Sequence, residues 1–183
     1  NIQNLVEARS SQMQQAIELC SEQAMRMAAL MSRMPEVEAA YKKAMEGDIN
    51  DENSAASQQG REMLRKSLAP MLDGFTAVIG EKPQIHYHLP PARSFARLWR
   101  DKQTKKGDKW VDISDDLSLF RQSVKDINTT KTAVWGVEVG SGGLVIRGLA
   151  PVVAHNGEHL GSVETLVPFD PLMDSLSSGK GEH

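Results

Sequence analysis

The hydrophobic pattern of the chain changes its period near Gly80, and this change limits the possible folds more than any single motif does. Residues 2 to 79 are rich in Ala, Met, Gln, Glu, Arg and Leu, which favour helix, and they include only two aromatic residues, Tyr41 and Phe75. From Gln84 onward, apolar and polar residues alternate in short runs that are separated by turn-forming residues, as in β-strands. The sequence therefore predicts an α+β fold, with helices first and an antiparallel sheet after them.

The first part is predicted to contain three helices. Residues 3 to 33 are expected to form one long helix, whose weak apolar stripe indicates that its outer portion pairs with a second copy of the chain. Pro35 suits the first turn of a second helix, which is expected to end near Gly47. Asp51 or Asn53 is expected to cap the third helix.

The second part is predicted to contain five strands, at residues 84–89, 94–100, 132–139, 144–154 and 159–168. The Asn-Gly dipeptide at residues 156–157 is a strong hairpin signal between the last two strands. A lysine-rich loop is expected after the second strand. Residues 114–127 are expected to form a short helix, with Asp115 and Asp116 placed favourably at its N-terminus.

The composition excludes several classes of protein. Twenty-one basic and 24 acidic residues give a net charge of -3, so the chain lacks the basic character expected of a nucleic-acid-binding protein. Its single cysteine, Cys20, excludes a disulfide framework, a CxxC redox pair and a cysteine zinc cluster within one chain. The sequence has no apolar run of the roughly 18 residues that a membrane span needs.

The sequence also lacks the motifs that mark common catalytic sites. It contains no GxSxG elbow, no HExxH pair and no Walker loop. The glycine cluster at residues 140–143 has neither a following helix nor the Lys-Ser/Thr pair of a phosphate-binding loop, so it is predicted to be a β-turn. We therefore expect no enzymatic activity and no cofactor.

Five segments within residues 34 to 172 carry a resemblance to a known family. They are, in chain order, MPEVEAAYKKAMEGD, IHYHLPPARSFARLW, ISDDLSLFRQSVKDIN, GVEVGSGGLVIRGLAPVV and GEHLGSVETLVPFDPL. These segments resemble the Cache superfamily, and within it the double-Cache-like members that carry an HLPPARSFLR-type strand pair and an IRGLAPV-type strand. The resemblance implies a PAS-like lobe with a five-stranded antiparallel sheet behind a long N-terminal helix.

The resemblance also implies a place in the cell and an organisation of the chain. Such domains form the periplasmic, extracytoplasmic part of chemoreceptors (methyl-accepting chemotaxis proteins), sensor kinases or cyclic-dinucleotide enzymes. The expected regions are a helical region over 1–79, a PAS-like sensor lobe over 80–172 and a C-terminal tail over 173–183. The chain begins without a methionine and its first residues resemble the middle of a helix, so we expect an excised fragment. Many members carry two lobes in series, so either this protein has a single lobe or a second lobe has been removed. In the full receptor we expect a homodimer, with membrane contact through flanking segments only.

Residues on the predicted strands are the candidates for ligand binding, and they are His86, His88, Arg97, Trp99, Trp135, Glu138 and Arg147. Residues two apart share a face of a strand, so His86 lies beside His88 and Arg97 beside Trp99. Arg97 and Arg147 are expected to point to one face of the sheet, where they bind a carboxylate in a pocket whose candidate walls are Trp99, Trp135, His86 and His88. A buried arginine needs a carboxylate partner, which is either internal, with Glu138 as the first choice, or supplied by a ligand.

Three functions remain open at this point. In the first, the chain is a sensor domain for a small solute, namely a carboxylate, another anion or an amino-acid-like ligand. In the second, it is an interaction or dimerisation module without a small ligand of its own. In the third, which is the least favoured, His86 and His88 bind a metal, with Glu138 or Glu164 approaching in the fold. Histidines that form hydrogen bonds at a pocket wall are favoured over metal ligands, and no metal site is predicted.

Overall fold

The computed structural model describes residues 1–140 and 143–178. The helices of these residues are α1 (Ile2–Met31), α2 (Pro35–Ala44), α3 (Ala55–Ile79), α4 (Gln122–Thr130) and α5 (Phe169–Ser177). The strands are β1 (Gln84–Leu89), β2 (Arg93–Arg97), β3 (Thr104–Lys106), β4 (Lys109–Val111), β5 (Val134–Gly140), β6 (Gly143–Val153) and β7 (His159–Pro168).

Five of the strands form one antiparallel sheet in the order β2-β1-β7-β6-β5, and β3 pairs with β4 in a separate hairpin. The long first helix and this sheet confirm the predicted α+β fold with a PAS-like lobe. None of the helices in the described ranges combines the length and the apolar character that crossing a membrane requires.

One face of the sheet, which we call the helix face, carries Tyr87, Ile146 and Val163 and is covered by the first three helices. These side chains are fully buried. Helix α1 lies so close to β6 that a Cβ atom at Gly148 would overlap the backbone of Met25. Only glycine permits this approach, which explains a glycine in the middle of a long strand.

Three local predictions were wrong in their details. The cap of α3 is Ser54, whose hydroxyl accepts a hydrogen bond from the Ser57 amide, because the Asp51 carboxylate accepts from the Asn53 amide instead. The second strand ends at Arg97 and not at residue 100. The lysine-rich segment forms the hairpin β3-β4 and not a loop.

The predicted short helix begins later than expected, at Gln122. The preceding segment instead runs beside β2, where the Ser94 amide donates to the Asp115 carbonyl and Arg93 bridges to Asp116. This pairing takes up the backbone groups that a helix would have used. The predicted turn at residues 140–143 includes Ser141 and Gly142, which lie outside the described residues, as does most of the tail beyond α5.

Candidate functional site

The second face of the sheet, which we call the polar face, lies opposite the helices and carries ionisable side chains. His86 of β1 stands opposite Arg97 of β2 and opposite Glu164 of β7, so these three side chains share this face. Arg147 of β6 stands opposite Leu166, two residues beyond Glu164, and therefore points to the same side. Arg97 and Arg147 thus lie on one face, as the sequence predicted.

Glu164 is the centre of a buried network on the polar face. Its Oε2 atom accepts a hydrogen bond from Arg147 Nη1 at 2.7 Å. Its Oε1 atom lies 3.0 Å from His86 Nδ1 and 3.1 Å from His88 Nε2. All four side chains are at most 6% exposed, so the carboxylate compensates the guanidinium charge inside the protein.

Hydroxyl groups hold the far nitrogen of each imidazole. His86 Nε2 lies 2.8 Å from the Ser94 hydroxyl, and His88 Nδ1 lies 2.9 Å from the Ser162 hydroxyl. Gln103 donates to the Ser94 hydroxyl at 2.7 Å, and Asn128 donates to the Ser162 hydroxyl at 3.0 Å. Both rings are therefore fixed in orientation from two sides.

The surroundings shift the protonation of this network. Burial lowers the pKa of His86 well below 6.5, and the nearby charges of His88 and Arg97 act in the same direction. Burial by itself would raise the pKa of Glu164, but His88, His86 and Arg147 outweigh it and hold that pKa well below 4.5. The network is thus an ionised carboxylate beside a neutral His86.

Arg97 also has an internal partner. Its Nη1 and Nη2 atoms donate to the two oxygens of Asp115 at 2.8 and 2.9 Å, which is the bidentate geometry of a strong pair. Asp115 therefore binds this arginine and does not cap a helix. Both predicted arginines therefore have a carboxylate partner within the protein. The partner of Arg97 is Asp115, and Arg147 pairs with Glu164 in addition to the predicted Glu138.

A cleft of about 610 Å³ opens over the polar face. Its lining includes Arg100 and Arg121 besides the two paired arginines. Arg100 donates to the Gln103 carbonyl, and Arg121 donates to the carbonyls of Phe120 and Val139. Neither has a carboxylate partner within residues 1–140 and 143–178. Burial lowers the pKa of both groups, with added repulsion from Arg97 at Arg100 and from Arg147 at Arg121.

The structure brings together most of the predicted site residues, but not all of them. His86, Arg97, Trp99 and Arg147 line the cleft. His88 is fully buried behind His86. Glu138 lies on the same face, with Oε2 3.3 Å from Arg147 Nε, but it is not part of the cleft lining.

Trp135 is the exception, because it lies on the helix face and is 49% exposed. Val134 and Gly136, its neighbours in β5, stand opposite Leu149 and Arg147 and therefore belong to the polar face. Trp135 would have to be shifted by one residue in register to form a wall of the cleft. The alternation within an edge strand does not reveal its register with the neighbouring strand. Because of the observed register, Trp135 does not line the cleft.

The sequence interpretation missed Arg100 and Arg121 as cleft residues. Arg100 lies beyond the end of β2 at Arg97, and Arg121 immediately precedes α4. Both residues therefore lie in connecting segments, where no hydrophobic periodicity shows which way a side chain points. Glu164 was considered in the sequence only as a possible metal ligand and not as the partner of Arg147.

Comparison with known proteins adds a family and a fold. The family model dCache_3, described as the double sensory domain of two-component sensor kinase, matches residues 1–180. The sensor domain of the V. cholerae histidine kinase DctB superposes with a TM-score of 0.59 at 12% identity, covering 98% of this chain and 59% of that one. The E. coli DcuS sensor domain gives a TM-score of 0.51 at 10% identity, covering 89% of this chain and 98% of that one.

These structural similarities, at such low identity, concern the fold. The chain spans 59% of the length of the DctB sensor domain. A search of curated protein sequences finds no match.

Proposed function

The chain belongs to the dCache_3 family of Cache-superfamily sensor domains, and from this premise we propose that it is the extracytoplasmic, periplasmic ligand-binding domain of a transmembrane sensor kinase or chemoreceptor. We propose further that its ligand is a small anion, such as a carboxylate, that binds in the cleft over the polar face. In this account the domain detects a solute and catalyses no reaction.

The observation that carries the proposal is the charge of the cleft lining. Arg97 and Arg147 are compensated by Asp115 and Glu164, but Arg100 and Arg121 have no carboxylate partner among the described residues. Both guanidinium groups also lie over aromatic rings, Arg100 over Trp99 and Arg121 over Phe120. A partly buried guanidinium that has carbonyl and aromatic neighbours but no carboxylate remains short of full negative charge. A ligand carboxylate in the cleft would supply that charge through bidentate hydrogen bonds.

Arg147 supports the same site in a second way. Its Nε atom is buried and makes no hydrogen bond within the described residues, because the contact with Glu138 lacks hydrogen-bonding geometry. We propose that this N–H donates to the bound anion, because Arg147 is one of the residues that line the cleft. His86 and Trp99 stand edge to face at 6.1 Å and form a wall of the cleft. We propose that His88 and Glu138 position Glu164 and Arg147 and do not touch the ligand.

The position of the cleft also supports a role in signal transmission. Its lining includes Pro168, Phe169 and Asp170, where β7 ends and α5 begins. Helix α5 contacts α1, and Arg9 donates to the Leu176 carbonyl at 3.4 Å. A ligand that favours one position of this junction would move α5 against α1, which is a two-state change of the kind that receptors use.

Helix α1 is the element that we propose for dimer formation. Ile2, Leu5 and Val6 are 82%, 61% and 61% exposed at its outer end. An apolar surface of this kind on a helix supports pairing with a second copy in the full receptor.

A thermal-shift screen of organic acids, amino acids and inorganic anions at constant ionic strength tests the ligand proposal. A true ligand at about 100 times its Kd raises the free energy of unfolding by about 2.7 kcal/mol. The methyl ester of each acid that binds is the matched control and should give no stabilisation. If no anion stabilises the chain beyond the salt control, the anion proposal fails and the interaction module becomes the better account.

Hydrogen exchange with the identified ligand tests transmission separately. We expect altered exchange in α5 and in the outer part of α1 at saturation. Unchanged exchange in both helices would contradict the proposed route, while leaving the binding result intact.

A further inference from the structure

We propose that His86 Nδ1, His88 Nε2 and Glu164 Oε1 form a binding site for a divalent transition-metal ion, with Zn²⁺ as the type ion. The three residues are the group of potential metal ligands that the described residues bring together. The site lies at the floor of the cleft, and the proposal does not depend on the identity or existence of an anionic ligand.

The spacing of the three ligand atoms fits a metal ion. Glu164 Oε1 lies 3.0 Å from His86 Nδ1 and 3.1 Å from His88 Nε2, and the two nitrogens are 3.2 Å apart. Tetrahedral Zn²⁺ with bonds of about 2.0–2.1 Å holds its ligand atoms roughly 3.3 Å from each other. An ion could therefore enter after shifts of a few tenths of an ångström at each side chain.

Hydrogen bonds alone serve this arrangement poorly. Because the three distances are nearly equal, the two ring nitrogens meet the one carboxylate oxygen at an angle of about 60°. Two N–H groups at that angle bring their hydrogens against each other. If one nitrogen is instead unprotonated, its lone pair faces the lone pairs of the oxygen. A cation at the centre replaces both hydrogens and engages all three electron pairs.

The surrounding groups can orient the three side chains as metal ligands. The nitrogen of each histidine that faces away from the triad is held by a hydroxyl, that of Ser94 for His86 and that of Ser162 for His88. The second carboxylate oxygen is held by Arg147 at 2.7 Å. Metal-bound histidines commonly donate their other N–H to such a partner, which fixes the tautomer and the ring orientation.

Burial and access both favour a bound ion. His86 is 5% exposed, Glu164 is 1% exposed and His88 is fully buried, so water competes little with these side chains for the ion. His86 and Glu164 line the cleft, so the ion can enter from it and a fourth ligand can come from it.

Calorimetric titration of the whole chain with ZnCl₂, after treatment with a chelator and transfer to chelator-free buffer, tests the site. We expect one ion per chain. His88→Gln and Glu164→Gln should each weaken binding by at least about tenfold, and Ser162→Ala should weaken it by about tenfold through the orienting hydrogen bond. His155→Gln is the matched control, because His155 and Glu38 form an exposed histidine-carboxylate pair at 2.7 Å, and it should leave the affinity unchanged.

Cobalt substitution keeps the test decisive if a buried variant does not fold. Co²⁺ bound to the wild-type chain should show the intense visible bands of four- or five-coordinate geometry, and Zn²⁺ should displace it. Absence of stoichiometric Zn²⁺ binding, a weak six-coordinate Co²⁺ spectrum, or binding lost in His155→Gln but kept in His88→Gln would overturn the proposal. An acid that still binds the chelator-treated chain would then leave the proposed sensing function standing.

Discussion

The helix face and the polar face of the sheet are built from alternate residues of the same strands, yet they are closed in different ways. On the helix face, Tyr87, Ile146 and Val163 are fully buried beneath helices. On the polar face, His86, Arg147 and Glu164 are buried just as deeply, but they are held by hydrogen bonds and ion pairs at the floor of a cleft.

The difference separates stability from recognition. Burying a large apolar side chain contributes about 1.5–3 kcal/mol, so the helix face supplies net stability. A buried ion pair roughly balances its cost of desolvation, so the polar face contributes little net stability while it fixes the direction of each charged group. Substitutions on the two faces should therefore differ in kind as well as in size.

The largest loss of stability is expected from Phe95→Ala on the helix face. Phe95 is fully buried and packs edge to face against Tyr41 at 4.8 Å. Removing the ring should lower the free energy of unfolding by roughly 3–5 kcal/mol, measured by urea denaturation. Leu119→Ala, at a side chain that is 95% exposed, is the control and should change little. Equal effects of the two substitutions would contradict the packing described for this face.

Glu164→Gln tests the polar face and should cost about 3 kcal/mol, because Arg147 would remain buried with only the more distant Glu138 carboxylate as a charged partner. The double variant Glu164→Gln/Arg147→Met should be less destabilised than Glu164→Gln alone, since it removes both charges. Denaturation of the four proteins in this cycle gives the coupling energy. Additive losses would mean that the two side chains do not form the pair described.

Acidification should destabilise the protein mainly through the ionisable groups of the polar face. The pKa values of His86 and Glu164 are lowered by folding, from 6.5 and 4.5 respectively, so the unfolded chain takes up protons first as the pH falls. Stability therefore rises with pH through these windows. The Tm should therefore decrease once the pH drops under about 6.5, and it should decrease again once the pH drops under about 4.5. His86→Gln should reduce the first decrease, and a decrease of undiminished size would assign it to other groups.

The smallest effect is expected from Tyr41→Phe, which removes a hydroxyl that joins α2 to the backbone of β1 and β7. This hydroxyl donates to the carbonyls of His88 at 2.8 Å and Ser162 at 3.0 Å. Its loss should cost about 1 kcal/mol and speed hydrogen exchange around both residues. Tyr87→Phe is the matched control, because its hydroxyl donates to Met31 in α1, and it should leave exchange on the polar face unchanged.

Much of the fold could be predicted from the sequence because its signals are local. Helix-favouring residues predicted the first three helices, and Pro35 marked the start of α2. The alternation of apolar and polar residues predicted β1 and β7 at their observed bounds. The hairpin β3-β4 was missed because its lysines carry no apolar alternation. Asp115 was misassigned because a residue suited to capping a helix is equally suited to binding an arginine.

The site was less predictable because it depends on register and on loops. Parity within one strand correctly grouped His86 with His88, but it could not place Trp135, whose strand β5 lies at the edge of the described sheet beside β6. Arg61 was missed altogether. It is 1% exposed in the middle of α3, where its guanidinium donates to the Phe95 carbonyl and the Ser114 hydroxyl, and neither partner is near it in sequence.

The central claim, that the polar face binds an anion through arginines without internal partners, is tested most directly by calorimetry of one acid ligand with Arg121→Gln and Arg93→Gln. Both arginines are half-buried and donate to backbone carbonyls, but only Arg121 lines the cleft. We predict that Arg121→Gln loses about 2–5 kcal/mol of binding free energy, as does Arg147→Ala, while Arg93→Gln binds like the wild type. Wild-type affinity in Arg121→Gln would contradict the claim and leave this arginine as part of the scaffold.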